Sequence, residues 1–454
     1  MRDRILRSFG ADALGQALNI CIRILLVPLF LKAWGAEGYG EWLILTAIIG
    51  WFNLGDFGAQ LYFINRMTAE WARGRLEIFQ ALLSTGLVFL ISISIILFTG
   101  TWLCLHTFPI VRQLGIHYIA SDAIGFIILV VAFKFLFSLP FGLLLGVYRA
   151  IGSQATSVMF GNLVLLLQFI ASAFCLLFSG DMRILALAEV IPFLLVCPIV
   201  IWDLNRRLPN NINLSLFRRM SKNIFLDSMS PSIQFLGIQL SAALLTQGVV
   251  VVIGKTLGPI EVSIFSACRI IANVVSRMMS MISHAAWPEI TKLQGLGEHT
   301  QLGKLFNIVL KLTLLIGVFY LVGTIEFGEV LFGLWLNNGL PYDFWLMYVL
   351  VCHVLATAFW TWGGNILMAT NQHREFSLLQ IPVNFVSLFF CFWGARHYGL
   401  IGSAVALFVA QTIPMMVVIY LLLRKYMPVQ LARSFLIASI LALVMMPLAL
   451  LLNI

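Results

Sequence analysis

The sequence predicts an all-α polytopic membrane protein: two six-helix bundles, related by a parallel internal repeat around a central cavity, plus one extra C-terminal helix. Three observations carry this. The chain has 454 residues, of which 61% are hydrophobic and only 10% charged, whereas a soluble domain carries about 25% charged residues. Long apolar runs recur from end to end, each long enough to cross ~30 Å of hydrocarbon. The runs also repeat at a nearly constant spacing.

Thirteen spans follow from the apolar runs: 12–34, 42–66, 78–104, 119–147, 156–178, 184–204, 230–254, 262–288, 303–326, 342–368, 376–395, 399–423 and 432–453. The basic start is read as a retained first helix, because polar residues interrupt the apolar run and no small-residue cleavage site follows. With the N-terminus in the cytoplasm, 18 of the 28 lysines and arginines fall on the cytoplasmic side, five on the other side and five within spans. That bias is the positive-inside pattern. The net charge of +9 therefore sets topology, and nucleic acid is not an expected partner.

The expected divisions are 1–214 for the N-terminal lobe, 215–428 for the C-terminal lobe and 429–454 for the additional helix. The basic segment RRLPNNINLSLFRRMSK (206–222) reads as the linker between lobes. A shift of 223 places Gly35 on Gly258 and Gln16 on Gln239. A shift of 222 places Asn162 on Asn384 and Gly180 on Gly402. Six spans per half put both halves in the membrane with the same orientation, a common transporter plan.

Polar residues inside the spans form stripes. Asp12, Gln16, Asn19 and Arg23 share one face of the first span, and Thr46, Gly50, Asn53 and Gln60 share one face of the second, with Asp56 nearby. Ser266, Arg269, Asn273, Arg277, Ser280 and His284 run along the eighth, and Gln239 and Thr246 of the seventh match Gln16 and Arg23 by the repeat. The expected geometry is a polar cavity lined by spans 1, 2, 7 and 8. A charge at mid-bilayer costs ~2.5–3.5 kcal/mol on insertion scales, which a hydrated cavity relieves. Arg23, Arg269, Arg277 and Lys134 are the candidate substrate-binding cations, because an arginine fork matches phosphate oxygens. Snorkelling, or pairing with Asp56 or Glu189, is the competing reading. Gln16, Asn19, Asn53, Gln60, Gln239 and Asn273 are the candidate polar lining. Asp56, glycine-flanked in NLGDFG, is either an ion-coupling carboxylate or a cap at a helix break. His353, with Thr357 and Thr361, makes a weaker stripe.

No cysteine pair has metal-ligand or redox spacing, and no GxxxxGK[ST], HExxH or GxSxG motif occurs. No catalytic residue, metal or cofactor is expected, and ATP-driven transport by this chain alone is not.

Two stretches carry a family resemblance. VPLFLKAWGAEGYGEWLILTAIIGWFNLGDFG, followed by NRMTAEWARGR, resembles the N-terminal signature of Wzx-type polysaccharide flippases, with Gly35, Tyr39 and Gly40 in the loop and Asp56 with Gly58 after it. ILMATNQHREFSLLQIPVNFVSLFFCFWGARHYGLIGSAVA is similar to the same family, through its turn at Tyr398 to Ala404. The resemblance covers roughly 15–425. It implies the multidrug/oligosaccharidyl-lipid/polysaccharide (MOP) exporter fold, residence in a bacterial cytoplasmic (inner) membrane, and an undecaprenyl-pyrophosphate-linked oligosaccharide as cargo for O-antigen or a related polysaccharide. It also implies polymerase and chain-length machinery as partners, and a pyrophosphate contact at Arg23, with Arg269 and Arg277 fitting by location. A cation-coupled small-molecule exporter keeps the fold but calls for acidic cavity residues, which are few. A membrane polymerase or ligase calls for a large external catalytic loop, and the external loops here are short.

Overall fold

The computed structural model describes residues 2–108, 116–209, 212, 220–296, 298–369 and 374–451. Most of the 206–222 linker lies outside the described residues, as does the side chain of His284.

The described elements are all helical. They are α1 (Arg2–Ile49), a 3₁₀ segment (Gly50–Asp56), α2 (Ala59–Ala72), α3 (Leu76–Thr107), α4 (Ser121–Ala150), α5 (Gln154–Phe178), α6 (Met182–Arg207), α7 (Lys222–Ala243), a π-helical turn (Leu244–Gly248) and α8 (Val249–Thr256). They continue as α9 (Pro259–Gly295), α10 (His299–Leu336), α11 (Phe344–Ala369), α12 (Arg374–Leu407), a second π-helical turn (Phe408–Thr412), α13 (Ile413–Tyr426) and α14 (Val429–Leu451). Among the described residues, eleven helical runs are long and apolar enough to cross a membrane. Two of these, Gly10–Ala72 with 63 residues and Arg374–Tyr426 with 53, are far longer than the ~20 residues one crossing needs. Each is divided by a left-handed glycine, Gly35 (φ 68°) in α1 and Gly399 (φ 67°) in α12, where a side chain would be strained. Counting each of those runs as two crossings accounts for the thirteen predicted spans.

The chain divides into two compact units, Met1–Ala243 and Leu244–Ile454. The division falls after α7 and not at the expected 214/215, because α7 packs against α2 and α3. At Gly58, for instance, the backbones approach so closely that a Cβ would lie 2.3 Å from the Ser232 carbonyl oxygen.

Within unit 1, α1 packs on α5, α2 on α3 and α4, and α4 and α5 on α6. Within unit 2, α8 packs on α12, α9 on α10 and α11, and α11 and α12 on α13. The two units thus use the same order of neighbours, span for span. Gly35 and Gly258 (φ 116°) are both left-handed, in keeping with the 223-residue shift. The later register differs from the predicted one: Gly180 (φ 66°) has its left-handed counterpart in Gly399. Gly402 instead sits where a Cβ would meet the Gly394 carbonyl oxygen at 2.5 Å. The extra helix α14 covers α10, α11 and α13.

One end of unit 1 is closed by the Trp34–Glu41 loop. Glu41 is 1% exposed, and its carboxylate accepts the backbone N–H groups of His117 (2.6 Å), Tyr118 (2.8 Å) and Ile119 (2.8 Å). The Trp34 indole N–H donates to the Gly180 carbonyl at 2.5 Å. Tyr39 stacks on Phe30 with ring centres 5.1 Å apart. The residues flanking the Gly35–Gly40 loop, Trp34 and Glu41, thus tie it to the segments before α6 and α4.

Candidate functional site

The second span is not a continuous helix. Its α-helical part ends at Ile49, seven residues of 3₁₀ follow, and Phe57 (φ 49°) and Gly58 (φ 78°) are left-handed before α2 begins. Thr46, Gly50, Asn53 and Gln60 therefore do not share one face by simple α-helical spacing. A 3₁₀ segment advances 120° per residue in place of 100°, and the two left-handed residues break the run. Asn53 is exposed, while the Gln60 side chain lies against Gly142 of α4, where a Cβ would meet its amide nitrogen at 2.6 Å.

Asp56 stands at the break. It is 2% exposed. Its carboxylate accepts the N–H of Gly58 at 3.0 Å and of Gln60 at 3.3 Å, and the side chain of Gln239 from α7 approaches it. These bonds satisfy backbone donors that the first turn of a helix leaves open. Of the two sequence readings, the geometry matches the cap, and Gln239 is drawn into the same network. Asp56→Asn is expected to keep the protein folded and to retain transport, because the amide oxygen can still cap α2. Loss of transport at an unchanged thermal midpoint would instead make the carboxylate a coupling group.

Lys134 lies elsewhere in the unit. It forms an ion pair with Glu189 across α4 and α6, and the Glu189 carbonyl accepts the amide of Gln168 at 2.7 Å. The lysine is thus engaged by a carboxylate, and among the described contacts Asp56 and Glu189 are held by partners other than the candidate arginines. On α1, the exposed Arg23 donates through Nε to the Asn19 side chain at 3.0 Å, and Gln16 is half-buried on the same helix.

In unit 2, Arg269, Asn273 and Arg277 are half-buried along α9. Arg269 reaches the Thr246 carbonyl at 3.4 Å, within the first π-helical turn. A π turn shifts the backbone bonding register, and such turns recur at functional sites. The guanidinium also lies 5.5 Å from the centre of the Phe265 ring. Near the second π turn, Gln411 donates to Asn384 at 3.3 Å, and both side chains are buried. The structure therefore joins Asp56 and Gln239 around the start of α2, pairs Arg23 with Asn19, and brings Arg269 to Thr246. It leaves Lys134 in a separate ion pair.

The structure matches solved transporters along nearly its whole length. A multidrug resistance MATE family transporter of the MOP superfamily, in an inward-facing conformation, superposes with a TM-score of 0.75 at 13% identity, over 95% of each chain. The lipid II flippase MurJ, in an inward closed conformation, gives 0.70 at 15% identity, over 99% of this chain and 93% of that one. The chain shares its fold with these two proteins. No family model matches the sequence, and no curated protein matches it. At these identities the likeness is one of fold, and both of these neighbours are transport proteins.

Proposed function

We propose that this protein is a flippase. Its cargo is an undecaprenyl-pyrophosphate-linked oligosaccharide, carried across the cytoplasmic membrane by alternating access to a polar cavity. The observation that carries the reading is Arg269, a half-buried guanidinium within a membrane-crossing helix, aimed at the π turn of the preceding span. A cation held inside the membrane is costly and suits a phosphate-bearing ligand. Arg277 and Asn273 continue the same polar face. The lipid II flippase MurJ shares the fold, which supports a lipid-linked cargo, and the Wzx-like loop and YGLIGSA turn support a polysaccharide repeat unit. The skew of basic residues supports a cytoplasmic N-terminus. In this mechanism the pyrophosphate rides on arginines, the sugars occupy the hydrated cavity, and the prenyl chain stays in lipid.

The MATE neighbour, with its TM-score of 0.75, favours a second reading, a small-molecule exporter of the same fold. A deletion strain separates the two. The flippase reading expects loss of surface polysaccharide, with complete repeat units retained on undecaprenyl pyrophosphate in the inner leaflet. Unchanged surface glycan together with new sensitivity to small toxic cations would favour the exporter. Repeat units that reach the outer face but fail to polymerise would point to an enzyme.

A further inference from the structure

The segment NRMTAEWARGR ends α2 and leads into α3, and it sets three arginines around one glutamate. Its backbone is fixed first. Gly74 is left-handed (φ 71°), its N–H donates to the Trp71 carbonyl at 3.0 Å, and the Arg75 N–H donates to the Glu70 carbonyl at 3.0 Å. This pair of bonds is the Schellman closure of a helix C-terminus. An apolar contact commonly accompanies that closure, whereas here the two positions are charged.

Glu70 is 1% exposed, yet its carboxylate faces Arg66 at 3.8 Å, Arg73 at 2.9 Å and Arg75 at 3.6 Å. The arginine side chains are 54%, 58% and 58% exposed. One buried carboxylate thus holds three guanidiniums near the surface, and each of them has more donors than a single carboxylate can accept. Even with Glu77 in the first turn of α3, arginines outnumber carboxylates in this turn. A structural ion pair needs one arginine. Three of them around one acid leave a positive surplus and mutual repulsion that a further anion would relieve. Trp71, packed on Phe79 with ring centres 5.2 Å apart, supplies the aromatic residue typical of the headgroup level.

We propose that this turn binds the phosphate of an anionic lipid headgroup in the leaflet it faces. The guanidinium fork fits two phosphate oxygens at once, and the turn lies where two membrane-crossing helices end. The site is independent of the cargo proposed above and of which side of the membrane holds the N-terminus.

The test uses the full chain in detergent, with native mass spectrometry after exposure to phosphatidylglycerol or phosphatidylcholine. Selective retention of phosphatidylglycerol is expected, reduced about tenfold in the double variant Arg73→Gln/Arg75→Gln as charge-assisted bonds are lost, and unchanged in Lys425→Gln of unit 2. Should the double variant aggregate, Arg73→Gln alone is read by the same criterion. Glu70→Gln adds positive charge but frees the guanidiniums, so retention should fall. A rise there would show diffuse attraction in place of a built site and would overturn the proposal. Equal retention of the two lipids, or full retention in the arginine variants, would overturn it too. Inorganic pyrophosphate that binds alone and displaces the lipid would assign the site to a soluble phosphate and reject the lipid assignment.

Discussion

Glu41→Ala is expected to lower the thermal midpoint of the detergent-solubilised protein by about 10 °C. The carboxylate accepts three backbone N–H groups in a row, at 2.6, 2.8 and 2.8 Å, while itself 1% exposed. Each donor left buried without a partner costs ~1–3 kcal/mol, and bonds to a charged acceptor sit at the upper end. Three such losses amount to several kcal/mol, a large share of the ~5–15 kcal/mol that a folded protein holds in reserve. The damage should concentrate in the segment before α4 and spread to the Trp34 contact with Gly180. Glu41→Gln keeps one acceptor oxygen but turns an NH₂ group toward a backbone donor, so it should fall between wild type and alanine. A fluorescence- or chromatography-based melt checks both variants. Equal midpoints in all three proteins would mean that this segment is held by something other than Glu41.

Glu41 also shows where sequence reading stops. As part of GYGE it registers only as an acidic residue outside a span. Its partners lie 76 to 78 positions away and are backbone groups, which carry no residue signature. By contrast, the spans were legible because apolar length is a one-dimensional property, and Gly35 and Gly399 fell near the expected breaks because only glycine takes φ near 70° without strain. The stripe on the second span failed for a local reason. The stripe assumes a continuous helix through NLGDFG, whereas the cap reading of the same glycine-flanked aspartate implies a break, and the two exclude each other. The pairing of Lys134 with Glu189 joins residues 55 apart on different helices, and only packing could choose it over snorkelling. The later repeat register slipped because Gly402 looked equivalent to Gly180, whereas the left-handed position is Gly399.

The α9 arginines carry the largest functional expectation. Arg269→Ala should reduce export of the lipid-linked glycan by about a hundredfold, since a charge-assisted contact to a phosphate is worth ~1.5–3 kcal/mol and the fork makes two at once. The variant should still fold: Val262, Phe265, Ala272 and Val275 of α9 are all buried, and their packing does not require the guanidinium, whose contact with the Phe265 ring is the one lost. Arg269→Lys preserves the charge but not the fork, so intermediate export is expected, with weaker discrimination between pyrophosphate-linked and monophosphate-linked cargo. Arg277→Ala, two turns along the same face, should show a similar defect if both arginines follow the headgroup as it moves. The readout is surface polysaccharide in a complemented deletion strain, normalised to membrane-inserted protein. Normal export in both alanine variants would remove the cationic cavity from the mechanism. The cost of holding charge in these spans would then need a structural reason, with the Thr246 carbonyl bonded to Arg269 as the first group to test. A defect in Arg269→Ala alone would place the phosphate contact at the π turn, where the span's bonding register is already disturbed and a small movement of the backbone can make or release the ligand.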